Sequence, residues 1–176
     1  MSGRLWWLAG GAALLVAFLV LLPFFSKPSG GSGPQAIVGR PVPVIPLQDV
    51  DGAAVSLSRY RGEIAIVNLW ATWCPPCRAE MPDLQRIDER YGSRGVAIVG
   101  IDQGESAQRA RAFARSLRIG YPIWIDDAQQ YGRAFGALGL PTTVIVGRNG
   151  VVARAFDGPL TYDDLRRALE GLLAPS

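Results

Sequence analysis

The sequence predicts an α/β domain built on a mixed sheet with flanking helices. Two near-continuous apolar runs rich in β-branched residues, 64–70 and 96–102, are typical of strands buried on both faces. Between them, residues 75–92 place apolar side chains at helical spacing, which predicts an amphipathic helix and therefore a βαβ unit. Near the end of the chain, Asn149-Gly150 between two apolar runs predicts a β-hairpin.

The other elements follow in chain order. The patterns predict a Pro-rich hairpin around an Asp51-Gly52 turn at 41–57 and a helix at 105–118. They also predict a strand at 121–126, a short helix at 129–135 and a C-terminal helix at 161–173. The strand at 121–126 and its helix add an extra βα element to the sheet. Asp102, Asp126 and Asp127 come after strands, so we expect them to be turn residues.

An uncharged apolar run at 5–25 precedes this domain and is long enough to cross a hydrocarbon core of about 30 Å at about 1.5 Å per residue. We predict a transmembrane signal-anchor there, with residues 1–4 in the cytoplasm because Arg4 adds to the N-terminal charge. A cleaved signal peptide is the alternative, and both export the domain. The Gly-, Ser- and Pro-rich segment 26–36 is predicted to be a flexible tether to a domain at 37–176.

Composition narrows the possible chemistry. The chain has 2 Cys and no His, which excludes His-based zinc sites and Ser/His or Cys/His catalysis, and we expect neither a metal nor another cofactor. The formal net charge is +3, but Arg4 and Lys27 flank the apolar run and leave 16 cations (18 − 2) against 15 acids. That near balance gives no reason to expect nucleic-acid binding.

The two cysteines, Cys74 and Cys77, lie directly after a predicted buried strand and open a predicted helix. Free backbone N–H groups and the positive end of the helix dipole favour a thiolate at Cys74, and Cys77 lies one turn later on the same face. This context predicts a redox pair in which Cys74 attacks and Cys77 resolves. The alternatives are a structural disulfide, which would close too short a loop to stabilise much, or two ligands of a metal site.

In these residues the sequence resembles the thioredoxin-like, membrane-tethered disulfide reductases of the TlpA and ResA type, with CcmG (DsbE) as a near relative. The likeness runs from about residue 38 to the C-terminus. It rests on NLWATWCPPCRAEMP at 68–82, on GLPTT at 139–143 and on the βα element between them. It implies a thioredoxin-like fold in which a cis Pro141 lies opposite the cysteines. It also implies a substrate surface, formed by Trp73, Pro75, Pro76, Leu140 and Pro141.

The sequence departs from parts of this pattern. Asn68 stands where thioredoxin has a buried acid that assists proton transfer, and an amide cannot do that. The resemblance implies instead that Glu80 acts near the thiols, the alternative being a solvated helix glutamate. Thr142 follows Pro141, where CcmG-like proteins usually carry Glu. We expect Trp70 in the core and Trp73 beside Cys74, the alternative for Trp73 being a core position.

The resemblance implies an enzyme that reduces disulfides in exported proteins, such as apocytochrome c during cytochrome c maturation. It also implies a membrane thiol donor of the DsbD or CcdA type and a bacterial inner-membrane location, with the domain facing the periplasm. A disulfide-forming oxidant of Dsb type is the alternative enzyme, since CxxC chemistry runs in both directions. A redox-inert binding module or thiol metal chaperone is the alternative outside enzymes. A peroxidase is not favoured, because no Thr lies three residues before Cys74.

Overall fold

The computed structural model describes residues 33–173 of the chain, and within them a sheet is flanked by helices. The strands are β1 (Leu47–Asp49), β2 (Ala54–Val55), β3 (Ile64–Trp70), β4 (Val96–Gln103), β5 (Ile123–Asp126), β6 (Thr142–Val146) and β7 (Val152–Asp157). The α-helices are α1 (Pro75–Tyr91), α2 (Ala107–Ser116), α3 (Gln130–Phe135) and α4 (Tyr162–Leu173). Each corresponds to an element that the sequence predicts.

The strands form a single mixed sheet in the order β2-β1-β5-β4-β3-β6-β7. The central strands β3, β4 and β5 are parallel, as their apolar runs predict. On one side β6 pairs antiparallel with β3 and β7 pairs antiparallel with β6, and on the other side the β1–β2 hairpin extends the sheet beyond β5. The α/β class, the N-terminal hairpin and the extra element β5–α3 are therefore confirmed.

Helices and loops cover both faces of the sheet, which explains why the central strands lack polar alternation. Every residue of β3 is buried, with alternate side chains facing the layer of α1, α2 and α4 or the layer of α3. Trp70 is fully buried in the first layer and Trp124 in the second. Burial of a large apolar side chain contributes roughly 1.5–3 kcal/mol, so these layers hold the sheet together. The core position predicted for Trp70 is confirmed.

Strand register brings three connecting segments to one edge of the sheet. Trp70, the last residue of β3, lies opposite Asp102 of the parallel strand β4. On the other side of β3, Leu69 lies opposite Thr142, the first residue of β6. The segment after β3, the segment after β4 and the segment before β6 therefore meet, and they contain the cysteines and the Pro141 loop.

Two of the three aspartates predicted to be turn residues lie inside strands instead. Asp102 and Asp126 are fully buried, because pairing between β4 and β5 continues to the Gln103–Asp126 position after the apolar runs end. The Asp126 carboxylate accepts hydrogen bonds from two backbone N–H groups at the start of α3 and so caps that helix. Only Asp127 lies exposed in a turn, as predicted.

The packed domain begins slightly earlier than the sequence predicts. Residues Pro34–Ile37 form a 3₁₀ helix, Pro34 is buried, and the Gln35 side chain donates a hydrogen bond to the backbone carbonyl of Ala155 in β7. The last residues of the predicted tether 26–36 therefore belong to the domain. The predicted anchor at 5–25 lies outside the described residues, and in 33–173 no helix is long and apolar enough to span a membrane.

Candidate active site

The cysteine pair stands at the junction between β3 and α1, as predicted. Cys74 is the N-cap residue of α1, and its Sγ accepts a hydrogen bond from the Cys77 backbone N–H at 3.3 Å. The two residues are joined as a disulfide, with Cα atoms 5.3 Å apart. Pro75 and Pro76 begin the helix and are exposed. Their lack of a backbone N–H costs no hydrogen bond there, because the first N–H groups of a helix have no acceptor within it. The helix N-terminus thus faces Cys74 and favours its thiolate once the disulfide is reduced.

Exposure differs sharply between the sulfurs and the residue before them. Cys74 is 2% exposed and Cys77 is not exposed at all, whereas Trp73 is 65% exposed. The alternative core position for Trp73 is therefore wrong. An exposed indole beside a covered disulfide can contact a protein partner that brings its own sulfur to this point.

The Leu140–Pro141 peptide bond is cis, as the resemblance implies, and it directly precedes β6. Trp73 and the loop that leads to this bond line one groove of 340 Å³, opposite one end of α3. Its lining residues are Trp73, Gln103, Gln129, Gly132, Arg133, Gly136, Ala137, Leu138, Gly139 and Leu140. Leu138 is 70% exposed, so its part of the groove wall is apolar and open to solvent.

Glu80 lies on α1 one turn after Cys77 and is only 3% exposed, so the alternative of a solvated helix glutamate is wrong. Its Oε1 accepts a hydrogen bond from Asn68 Nδ2 at 2.6 Å, and its Oε2 accepts one from the Leu160 backbone N–H at 2.9 Å. Burial raises the pKa of Glu80 to about 7, although the bonds from Leu160 and Asn68 oppose that rise. This carboxyl can therefore exchange a proton near neutral pH.

Asn68 lies in the middle of β3 and links Glu80 to β6. Its Nδ2 also donates to Thr143 Oγ1 at 3.0 Å, and the amide is fully buried. Among the described residues, Asn68 Oδ1 has no hydrogen-bond partner. Sequence reasoning excluded Asn68 as a proton carrier but missed that it positions the carboxyl of Glu80.

A second pair of acids, Asp102 and Glu105, lies beside the segment before the cysteines, and sequence reasoning missed both. The Glu105 carboxylate accepts hydrogen bonds from the Thr72 backbone N–H at 2.5 Å and from Thr72 Oγ1 at 2.7 Å. Asp102 in turn accepts a bond from the Glu105 backbone N–H at 2.9 Å. The signal available in the sequence was that Thr72 and Glu105 follow two neighbouring parallel strands and that Asp102 lies at the end of the second.

Among residues 33–173, no three acidic or cysteine side chains converge on a point where a metal ion could be held. The arrangement around α1 is instead a dithiol or disulfide with buried carboxyls on one side and an apolar groove on the other. It can form and break disulfide bonds and move protons near neutral pH.

Comparison with known proteins agrees with this chemistry. A model of the AhpC/TSA family matches residues 38–155. The thiol-disulfide oxidoreductase ResA of Geobacillus thermodenitrificans is 35% identical over 135 residues, which cover 77% of this chain and 78% of the relative.

Two solved structures show the same fold. A thiol:disulfide interchange protein of the thioredoxin family from Chlorobium tepidum is 32% identical, with a TM-score of 0.69 over 76% of this chain and 96% of the other. A DsbF homologue from Corynebacterium diphtheriae is 29% identical, with a TM-score of 0.71 over 84% and 98% of the two chains. The fold is therefore thioredoxin-like, as the resemblance implies.

Proposed function

The chain belongs to the AhpC/TSA family and is a thiol-disulfide oxidoreductase, and from this premise we propose that Cys74 is its attacking thiolate and Cys77 its resolving thiol. The observation that carries this assignment is the bond from the Cys77 backbone N–H to Cys74 Sγ at the N-cap of α1. A donor aimed at that sulfur lowers the free energy of the thiolate relative to the thiol. Cys77 Sγ, inside the helix and fully buried, lacks that position.

In the proposed reaction the reduced enzyme gives two electrons to a substrate disulfide. The Cys74 thiolate attacks one substrate sulfur, the substrate S–S bond breaks, and the leaving sulfur departs as a thiolate and is protonated. Cys77 then loses its proton and attacks Cys74 Sγ, which releases the second substrate thiol and closes the enzyme disulfide.

Glu80 is the proposed acceptor of the Cys77 proton. It follows Cys77 by one turn on the same face of α1, and a pKa of about 7 leaves part of the Glu80 population ionised at neutral pH, which is the form that accepts the proton. Two uncharged donors, the Asn68 amide and the Leu160 backbone N–H, orient its carboxyl.

The proposed substrate surface combines the exposed Trp73, Pro75 and Pro76 with the Leu140–Pro141 turn. Antiparallel pairing of β3 with β6 supports this, because it carries the Pro141 turn to the edge at which Cys74 lies. The open, largely apolar groove beside Trp73 fits an extended peptide segment rather than a compact surface.

The cellular role that we propose is reduction of disulfides in exported proteins, with the cysteines of apocytochrome c as one substrate class. In this proposal residues 5–25 anchor the chain in the inner membrane of a bacterium, the domain faces the periplasm, and a membrane thiol donor of DsbD or CcdA type re-reduces it. Equilibration with glutathione tests the direction of electron flow. A reductase should lie near or below about −270 mV, and a value near −120 mV would identify an oxidant.

The assignment of the two cysteines is tested by trapping. Cys77→Ser should accumulate reducible adducts with exported Cys-containing proteins, because a Ser hydroxyl cannot displace the substrate sulfur and the chain has no third Cys. Cys74→Ser is the matched control and should accumulate few adducts on non-reducing gels. Equal yields from the two variants would show that the roles are assigned wrongly.

A further inference from the structure

The turn that leads into Cys74 is held by Glu105, a residue of the next connection in the sheet. Both oxygens of the Glu105 carboxylate are occupied by Thr72, one by its backbone N–H and one by its hydroxyl. The Cys74 backbone N–H in turn donates to the Ala71 carbonyl at 3.2 Å, which closes residues 71–74 into a turn. The position of Cys74 thus depends on a carboxylate 33 residues away from Thr72 in sequence.

The charge of Glu105 is poorly compensated. The Glu105 side chain is only 6% exposed, and its cationic neighbour, Arg109, lies with Nε 3.5 Å from Oε1 and is 70% exposed. An ion pair with so exposed a partner contributes at most about 1 kcal/mol. The bonds from Thr72 are therefore the main stabilisation of this carboxylate on the protein side.

Asp102 can donate a further hydrogen bond to the Glu105 carboxylate if it keeps its proton. It is fully buried in β4 beside Trp70, and its Oδ2 has no hydrogen-bond partner within the part of the chain that the structure describes. Two ionised carboxylates so close together in a buried place would repel each other strongly. A protonated Asp102 instead donates its O–H to Glu105 and accepts the Glu105 backbone N–H at Oδ1.

We propose that Asp102 and Glu105 share one proton, and that Asp102 is a positioning residue that keeps the Thr72 turn closed in front of Cys74 until that proton is lost. The proposal rests on the role of Cys74 proposed above. The charged groups that act on Asp102 are Glu105, from the connection after β4, and Arg109, from α2. Loss of the proton places two negative charges together and weakens the hold of Glu105 on Thr72.

The titration behaviour of the pair agrees with this geometry. Burial raises the pKa of Asp102 to about 7; the bond from the Glu105 backbone N–H and the charge of Arg109 oppose the rise, while the charge of Glu105 and the hydrogen bond that a protonated Asp102 donates to it add to the rise. For Glu105 burial acts in the same direction, but the bonds from Thr72 and Asp102, together with Arg109, lower its pKa overall. One proton on Asp102 and none on Glu105 is therefore the state below neutral pH.

The first test follows the Thr72 backbone N–H by NMR in the oxidised full-length protein, where no thiol titrates. Its signal should shift between pH 5.5 and 8.5 in the parent and stay fixed in Asp102→Asn, whose amide donates to Glu105 at every pH. Glu80→Gln is the control for the other acid that titrates near pH 7 and should keep the shift. A pH-independent Thr72 signal in the parent, or an equal shift in Asp102→Asn, would overturn the proposal.

The second test measures the link to chemistry. The ratio of dithiothreitol reduction rates, Asp102→Asn over parent, should change by about threefold between pH 5.5 and 8.5, since a loosened turn misplaces Cys74. In a Glu105→Gln background the Thr72 signal should no longer titrate. The ratio of reduction rates with and without Asp102→Asn should then be the same at both pH values. A ratio that stays constant with pH would overturn the positioning role. Reassignment of the attacking cysteine by trapping would leave the Thr72 result unchanged, so the two proposals fail separately.

Discussion

Two buried acids with a pKa raised to about 7, Glu80 and Asp102, lie on the same face of the sheet and reach that value by different means. Glu80 is isolated from other charges, and its pKa is set by burial against two uncharged donors. Asp102 is buried too, but the neighbouring carboxyl of Glu105 adds to the rise. The pKa of Glu80 can thus be moved only by changing its burial or its donors, whereas that of Asp102 can also be moved by changing Glu105.

The two acids also reach the cysteines by different routes. Glu80 lies one turn after Cys77 on the same helix, where we propose that it accepts the Cys77 proton. Asp102 acts through Glu105 and Thr72 on the turn before Cys74, so it can affect only position. Similar pKa values therefore do not imply equal roles.

The largest expected effect is that Glu80→Gln slows resolution of the mixed disulfide by about 10²-fold at pH 7, the usual contribution of a proton acceptor. Glu89→Gln on the same helix is the matched control, since Glu89 is exposed, and should resolve at the parent rate. The measurement is single-turnover release of a peptide thiol from the mixed disulfide. Equal rates for the parent and Glu80→Gln would show that Glu80 contributes to packing and not to proton transfer.

A smaller effect concerns stability against pH. Both acids hold protons more tightly in the folded than in the unfolded chain, so unfolding releases protons and the free energy of unfolding falls from about pH 4 to about pH 7, then levels off. Each raised pKa accounts for at most roughly 3 to 4 kcal/mol of that fall, because one pKa unit corresponds to about 1.4 kcal/mol.

Urea unfolding of the oxidised full-length protein at several pH values measures this fall. The double variant Glu80→Gln with Asp102→Asn should lose less stability over that interval than the parent, and each single variant should lie between them. Parallel curves for the parent and the double variant would mean that neither acid is protonated in the fold near neutral pH.

The smallest expected effect is on the pKa of Glu80 itself. The bond from Asn68 lowers that pKa, so Asn68→Ser, which shortens the donor, should raise the titration midpoint of Glu80 by about half a pH unit. Carboxyl ¹³C NMR of Glu80 and Asp102 in one sample checks this, with Asp102 as the internal reference. A midpoint that moves for Asp102 and not for Glu80 would contradict the conclusion that the Asn68 bond lowers the pKa of Glu80.

Most of the architecture could be predicted from the sequence, because the apolar runs of β3 and β4, the helical spacing after Cys77 and the Asn149-Gly150 turn are local signals. The cysteine pair could be predicted for the same reason. Asp102 could not, because an acid at the end of an apolar run has the pattern of a turn residue, while its burial is set by pairing with β5 and by Glu105. The contact between Glu105 and Thr72 depends on strand adjacency, which no local pattern shows.

The boundary of the domain illustrates the same limit. A Gly-, Ser- and Pro-rich composition predicts a tether up to residue 36, yet Pro34 and Gln35 pack on the distant strand β7. Composition reports how readily a segment stays unfolded, and it carries no information on whether a neighbour offers a hydrogen bond.

The buried amide of Asn68 has a consequence for how the state of the enzyme could be observed. With Nδ2 directed to Glu80 and Thr143, the amide donates two bonds to an ionised carboxylate and a hydroxyl, while Oδ1 is left without a protein partner. Rotation of the amide by about 180° would turn Oδ1 towards a protonated Glu80 and the Thr143 hydroxyl as an acceptor of both. Each protonation state of Glu80 thus matches one orientation of the Asn68 amide. The side-chain NH₂ resonances of Asn68 therefore report whether Glu80 carries the proton during turnover.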